Sequence, residues 1–400
     1  MLWPSVPAWR IAGQLWLDRK WKDGTDAWCA AWPGPVRVLM DVIDIDEQPS
    51  FGAYRWEDSE SLFELRTLAA GETYATTDLA GIDLLLASAD EPRHLVAPHR
   101  CAGTKTACML VIEYTLRTRI ALTLWATGSR YKKAKVLVWQ WLNERRVVRA
   151  MRESRGVQAN GIPAFRVYER ASPSTQLYFD TRLTLAAVIA AAPLEARLGG
   201  LRQGKPLRLA FSGRFIAGKG ADALVPLALM LRKRGIAFTL DLFGSGELED
   251  AMRADIAANA LQDTVRLHGP VDFDSELVPR LKDSVDLFVC CHRQGDPSCT
   301  YAETLGCGVP IVGFANEALA SMVQEHDIGW TVPLGDTAAL ARLVAKLAGD
   351  REQIVDKSRK AMRFGRQHHF ESTFALRAQH CASVLNARTV PLPSNKQATT

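Results

Sequence analysis

The feature that most constrains this 400-residue chain is the regular alternation of short apolar runs and amphipathic stretches in its second half. Residues 207–212, 238–243, 264–268, 285–291 and 309–313 are apolar runs of strand length. Residues 221–233, 247–259, 275–282, 299–305 and 336–347 carry helical periodicity between and after them, with glycines at the turns. Such alternation predicts a parallel sheet covered by helices on both faces. Ligands of open sheets of this kind bind in the crevice at the carboxyl ends of the strands.

The first half is less regular. Residues 36–42, 82–87 and 106–112 read as strands and 130–152 as a long helix. A chain of 400 residues exceeds one ordinary core and predicts two domains. Their boundary is placed at the Gly-Gly-Leu-Arg-Gln-Gly-Lys-Pro stretch of 199–206, giving an N-terminal domain over 1–200 and a C-terminal one over 207–370. Two helices follow, over 352–367 and 374–385, and segment 371–388 is expected to pack back toward the N-terminal domain. Residues 389–400, polar and proline-bearing, are expected to be disordered.

Composition narrows the function classes. No basic n-region and apolar h-region open the chain, and the longest apolar run, 183–194, falls short of the roughly 20 residues that span a bilayer. A cytoplasmic protein is expected. The eight cysteines show no Cys-x-x-Cys pair and no zinc spacing, so they read as free thiols. The net charge of +5 is too low and too local for a nucleic-acid binder. The positive charge concentrates between Arg117 and Arg155, where only Glu144 and Glu153 offset eleven basic residues. With Trp139 and Trp141 in the same stretch, 130–152 suits peripheral contact with an anionic membrane. Its apolar residues form no clean stripe, however, and a packed helix with a basic outer edge is the reading taken.

Four segments carry chemistry when taken together. Ser212-Gly213-Arg214 through Lys219-Gly220 follows a strand and presents two cations where a diphosphate would sit. Gly244 and Gly246 follow the next strand and permit close backbone approach to a ligand. Pro297 and Ser298 read as a helix start, so the amides of Cys299 and Thr300 face the loop unpaired and suit a phosphate. Glu303, one turn into that helix, is placed to accept both hydroxyls of a ribose. Gly306-Cys307-Gly308 then ends the helix and drops the chain into the next strand.

The ordered set GRFIAGKG, LFGSGE, VRLHGPV, PSCTYAETLGCGVPIV and IGWTVPLGD resembles the retaining glycosyltransferases of the GT-B fold, family 4 (group 1). The resemblance covers about residues 207–348. It implies an α/β protein of two Rossmann-like domains facing a cleft, with a nucleotide-diphosphate sugar held mainly by the second. By position, Arg214 and Lys219 would contact the diphosphate and Glu303 the ribose. Ser298, Cys299 and Thr300 would lie over the phosphates, and His268 near the base. The family's second Glu, eight residues before Glu303, is here Gly295 with Asp296 beside it. Either Asp296 takes over that carboxylate or the sugar is read by other groups. Residues 158–164 and 178–182 resemble segments before the interdomain linker of some of these enzymes and receive no chemistry.

The expected reaction transfers a hexosyl unit to a glycan or lipid-linked acceptor, in surface polysaccharide or glycoconjugate synthesis. Arg214, Lys219 and the helix start near Thr300 would stabilise the departing diphosphate, with Asp296 as the candidate sugar-orienting acid. No cofactor or metal is expected, and Asp44-Ile45-Asp46 reads as a loop after a strand rather than a metal motif. His94 and His99 lie after the 82–87 strand, without a partner in the pattern, and read as structural or exposed. The alternative, of another class, is a non-catalytic protein that keeps the nucleotide pocket.

Overall fold

The computed structural model describes residues 1–46, 52–57, 61–69, 71–126 and 130–387. The tail expected to be disordered lies outside them.

The first half builds one sheet from β1 (Leu2–Trp3), β2 (Ala8–Ile11), β3 (Gln14–Asp18), β4 (Arg37–Asp44), β5 (Ala53–Arg55), β6 (Glu64–Leu68), β7 (Leu84–Ser88), β8 (Ala107–Ile112), β9 (Gly156–Asn160) and β10 (Thr175–Tyr178). Its order is β10-β9-β8-β7-β1-β4-β2-β3-β5, with β6 also on β4. Pairings are parallel except β2–β3 and β3–β5. Strands β7 and β8 are buried along nearly their whole length and read as continuous apolar runs, which made them legible. Strands β1, β2 and β3 are short and Trp-rich and escaped the sequence reading. Asp18 ends β3 and caps helix Arg19–Ala31 by accepting from the Trp21 amide.

The second half builds an all-parallel sheet from β11 (Leu207–Ser212), β12 (Phe238–Phe243), β13 (Val265–Gly269), β14 (Leu287–Cys290), β15 (Ile311–Phe314) and β16 (Gly329–Val332). The order β13-β12-β11-β14-β15-β16 reverses between β11 and β14. That reversal opens a crevice at the carboxyl ends of these two strands, and residues 212–220 and 291–298 emerge there.

The expected linker at 199–206 is corrected. Helix Ala191–Arg202 runs through Gly199 and Gly200, and only the few residues after it are non-helical. Leu194, Leu198 and Leu201 recur at helical spacing and bury against Leu207 and the second sheet. At roughly 1.5–3 kcal/mol per fully buried leucine, this packing outweighs the helix cost of two glycines, about 1 kcal/mol each. Residues 189–202 therefore belong with the second core, not with 1–200. The chain also recrosses at its end, where Phe374 of helix Phe370–Asn386 meets Trp28 edge-on, with ring centroids 6.3 Å apart.

The reading of 130–152 as a packed helix is half right. Helix Arg130–Glu153 buries Asn143, Val147, Ala150 and Met151 in its inner half. Its outer half leaves large apolar side chains in solvent.

Candidate active site

Backbone packing assembles the site before any side chain does. Gly220 sits at φ +69°, and a β-carbon there would lie 1.9 Å from the Cys291 carbonyl oxygen. Only glycine lets the 213–220 loop press onto the strand end at 291. The amides of Arg293 and Gln294 both donate to the Gly218 carbonyl, closing the two loops together. Gly244 and Gly246 are explained the same way. β-Carbons on them would lie 2.0 Å from the Gly213 oxygen and 2.6 Å from the Phe215 oxygen.

This packing brings Lys219 to Asp296. Lys219 Nζ donates to Asp296 Oδ2 at 2.7 Å, and both side chains are largely buried. Burial works to raise the Asp296 carboxyl, but the charge and hydrogen bond of Lys219 outweigh it and hold it below the usual carboxylate range. Asp296 Oδ1 has no partner. His292, buried beside the pair, is pushed down to about 3 by burial and then by the Lys219 charge, so its ring is neutral.

Helix Cys299–Gly306 starts at Ser298 and carries the next group. Glu303 is buried, and its carboxylate is held by the Arg182 guanidinium, Nε to Oε1 at 2.8 Å and Nη2 to Oε2 at 3.2 Å. Arg182 lies 3.9 Å from the Phe273 ring centroid. A carboxylate has about four acceptor positions. The Arg182 fork uses two, which leaves room for two hydroxyl donors. Cys299 is driven up to about 11 by burial and by Glu303, and stays a thiol.

Between the two sheets lies a pocket of about 450 Å³. The C-terminal half lines it with Asp296, Pro297, Ser298 and Cys299. The N-terminal half adds the carboxylates Asp18, Asp90, Glu113 and Asp180 and the aromatic rings Trp21, Trp28, Tyr114 and Tyr178. Asp90 accepts from the Glu113 amide at 2.7 Å and the Tyr114 amide at 3.2 Å. Burial and the Glu113 charge still raise its carboxyl to about 7. Glu113 is also raised, first by burial and then by Asp180, and one of its oxygens takes the Asn160 amide at 3.1 Å. Lys20 pairs with Asp180, which stays below the usual range despite burial because of the Lys20 charge.

Of the residues named from sequence, Asp296, Ser298 and Cys299 line the pocket, and Lys219 reaches it through Asp296. Arg214 is exposed on the loop that leaves β11. Gly244 and Gly246 press on the backbone of Gly213 and Phe215, a β-carbon on Gly213 would meet the Phe211 ring at 3.3 Å, and Thr300 follows Cys299 at the helix start. His268 is already engaged: Nε2 lies 2.6 Å from Asp241 Oδ1, and the ring stacks on Phe243. His94 is fully buried, stacked on Trp3 at 3.7 Å with neither nitrogen partnered, while His99 is exposed.

Sequence reasoning missed Lys20, Asp90 and Glu113. The segments around Asn160 and Asp180 carry no role that the sequence pattern assigns. They supply Asn160, Asp180 and Arg182.

The Gly295 departure has a geometric cause. A β-carbon there would lie 2.7 Å from Thr118 Oγ1 and 3.2 Å from Glu317 Cβ. Thr115 and Thr118 both donate to Glu317 Oε2, at 2.8 and 2.9 Å, bridging the two halves over this glycine.

Residues 206–350 match the family model described as glycosyl transferases group 1. The chain is 26% identical to the amylovoran biosynthesis glycosyltransferase AmsK of Erwinia amylovora over 163 residues, 38% of each protein. It is 23% identical over 142 residues to the GtfA subunit of a Streptococcus gordonii UDP-N-acetylglucosamine–peptide N-acetylglucosaminyltransferase, 35% of this chain and 27% of that one. The aligned stretches thus span well under two thirds of these relatives. In solved structures, the chain resembles Anabaena HepE in complex with UDP, with TM-score 0.66, 13% identity and coverage of 96% of this chain and 99% of that one. The same protein in complex with UDP-glucose gives TM-score 0.62 at 12% identity, covering 96% and 98%. The sucrose-phosphate synthase of Thermosynechococcus elongatus gives 0.64 at 17% identity, covering 97% and 99%. At these identities the structures speak for the fold. The chain therefore has the GT-B fold, and its residues 206–350 are similar to the group 1 glycosyl transferases.

Proposed function

We propose that this protein transfers a hexosyl unit from a nucleotide-diphosphate sugar to a glycan or lipid-linked acceptor, with retention, in surface polysaccharide or glycoconjugate synthesis. The observation that carries the reading is the convergence of Lys219, Asp296 and the start of the Glu303 helix on one pocket between the two halves.

In this scheme negative charge builds on the departing diphosphate. Arg214, Lys219 and the first-turn amides of Cys299 and Thr300 would meet it as positive groups already held in place. They supply countercharge without a metal, and no metal or cofactor is part of the proposed reaction. Lys219 has three donors, so it can keep Asp296 and still reach an oxygen of the diphosphate. Glu303, oriented by Arg182, would accept the ribose hydroxyls. The carboxylates and aromatic rings of the N-terminal side suit a polyhydroxylated acceptor. The HepE complexes with UDP and UDP-glucose make uridine diphosphate the first nucleotide to test, and the amylovoran biosynthesis named for AmsK favours polysaccharide assembly.

A panel of nucleotides and sugar nucleotides in thermal denaturation tests the reading. A ligand at a hundredfold over its dissociation constant adds about 2.7 kcal/mol of stability. Nucleotide release with an added acceptor then separates an enzyme from a binding protein, and the anomeric configuration of the product tests retention. A panel in which no nucleotide diphosphate shifts the transition would end the proposal.

A further inference from the structure

We propose that the exposed face of helix Arg130–Glu153 between Tyr131 and Arg149, which pairs with helix Leu116–Ala126, is a docking surface for an anionic membrane. Tyr131, Leu137, Val138, Trp139, Trp141 and Leu142 are each between 41% and 70% exposed, six large apolar side chains on three turns of one helix. Scattered exposed apolar residues are ordinary on a soluble surface, but a contiguous group is not.

The charges around this group select the partner. Lys132 and Lys135 lie between Tyr131 and Leu137, and Arg145, Arg146 and Arg149 follow Leu142. Both acidic residues of the helix are committed, Glu144 to Arg119 and Glu153 to Arg149 at 2.8 Å. Lys135 lies over the Tyr131 ring at 4.8 Å and Arg145 over the Trp141 ring at 3.6 Å. Tryptophan and tyrosine rings sit favourably at the headgroup level, and basic residues around them add attraction to anionic lipid. An apolar protein partner would not call for this many cations around the apolar group.

The helix pair also connects to the site. Tyr114, just before its first helix, lines the pocket, and Thr115 and Thr118 touch Glu317 across the cleft. A membrane held at this helix would lie on the same half of the protein that supplies most of the pocket lining. This deepens the lipid-linked part of the function proposed above and rests on it only for the acceptor.

The full chain is sedimented with vesicles of phosphatidylcholine alone and of phosphatidylcholine mixed with phosphatidylglycerol. Binding is expected at least about tenfold tighter to the anionic vesicles and weaker with added salt. Trp139→Gln with Trp141→Gln, and separately Arg145→Gln with Arg146→Gln, should each weaken it about tenfold or more, since each basic residue contributes about fivefold. Both variants should keep the wild-type circular dichroism and unfolding temperature. No binding, equal binding to both vesicles, or binding unchanged in both variants overturns the proposal. So does a wild-type dimer that the tryptophan variant converts to monomer, because a second copy would then cover the patch. Vesicle binding requires no turnover. Sugar transfer to a water-soluble acceptor without vesicle binding removes the docking surface alone. Vesicle binding by a protein that no nucleotide sugar stabilises removes the enzyme reading alone.

Discussion

Gly295 and Thr118 meet across the cleft so closely that a β-carbon on the glycine would lie 2.7 Å from the threonine hydroxyl oxygen. That hydroxyl is committed to Glu317 at 2.9 Å, so it cannot turn aside without giving up its share of the bridge to Glu317 that Thr115 also makes. Gly295→Glu should therefore cost about 1–3 kcal/mol by overpacking, read as a fall in the thermal midpoint. The new carboxylate would also stand beside that of Glu317. Thr118→Gly in the same chain should recover part of the loss. Additive effects in the double-mutant cycle would show that the two positions do not touch.

Glu303 is buried with Arg182 as its charged partner. Glu303→Gln would leave the guanidinium without its counter-ion and, in the proposed scheme, remove a charged acceptor for the ribose. A hydrogen bond to a charged group contributes roughly 1.5–3 kcal/mol, so nucleotide affinity should fall about tenfold or more, with a lower thermal midpoint. Calorimetric titration with the nucleotide identified by thermal denaturation measures the affinity. Wild-type affinity in this variant would remove Glu303 from the binding site.

Asp90 makes a prediction about pH. Burial and Glu113 raise its carboxyl from 3.8 to about 7. Between those values the unfolded chain releases a proton that the folded chain keeps. Stability therefore falls as pH rises from about 4 to about 7 and levels off above, where both states are ionised. Asp90→Asn, which cannot titrate, should flatten this slope in urea midpoints taken across the range. An unchanged slope would assign the pH dependence to other groups.

His94 is a core residue in this fold, and its two ring nitrogens are buried without partners. Burial, then Arg93, pushes it down to about 3 from 6.5. Below pH 6.5 the unfolded chain takes up a proton that the folded one refuses, so His94 costs stability as pH falls toward 3. His94→Phe would keep the stack on Trp3 and remove two unsatisfied polar atoms, for a gain of about 1 kcal/mol near neutral pH and more in acid. Activity should persist. Loss of transfer with the fold intact would give this histidine a role beyond packing.

The sequence alone determined what depends on neighbours in the chain. Strand and helix periods in 207–347 follow from local side-chain spacing, and so do the glycines at strand ends and the start of the Glu303 helix. Tertiary structure decided the partnerships. Lys219 meets Asp296 across 77 residues and Arg182 meets Glu303 across 121, separations that no periodicity encodes. It also decided the fate of groups that look alike in sequence. Leu194 and Leu142 are both leucines in helices, yet one is buried in the second core and the other faces solvent, because burial depends on what the remaining chain brings to a helix face. Gly295 shows the limit most plainly, since its absent side chain has meaning only once Thr118 arrives from the other half.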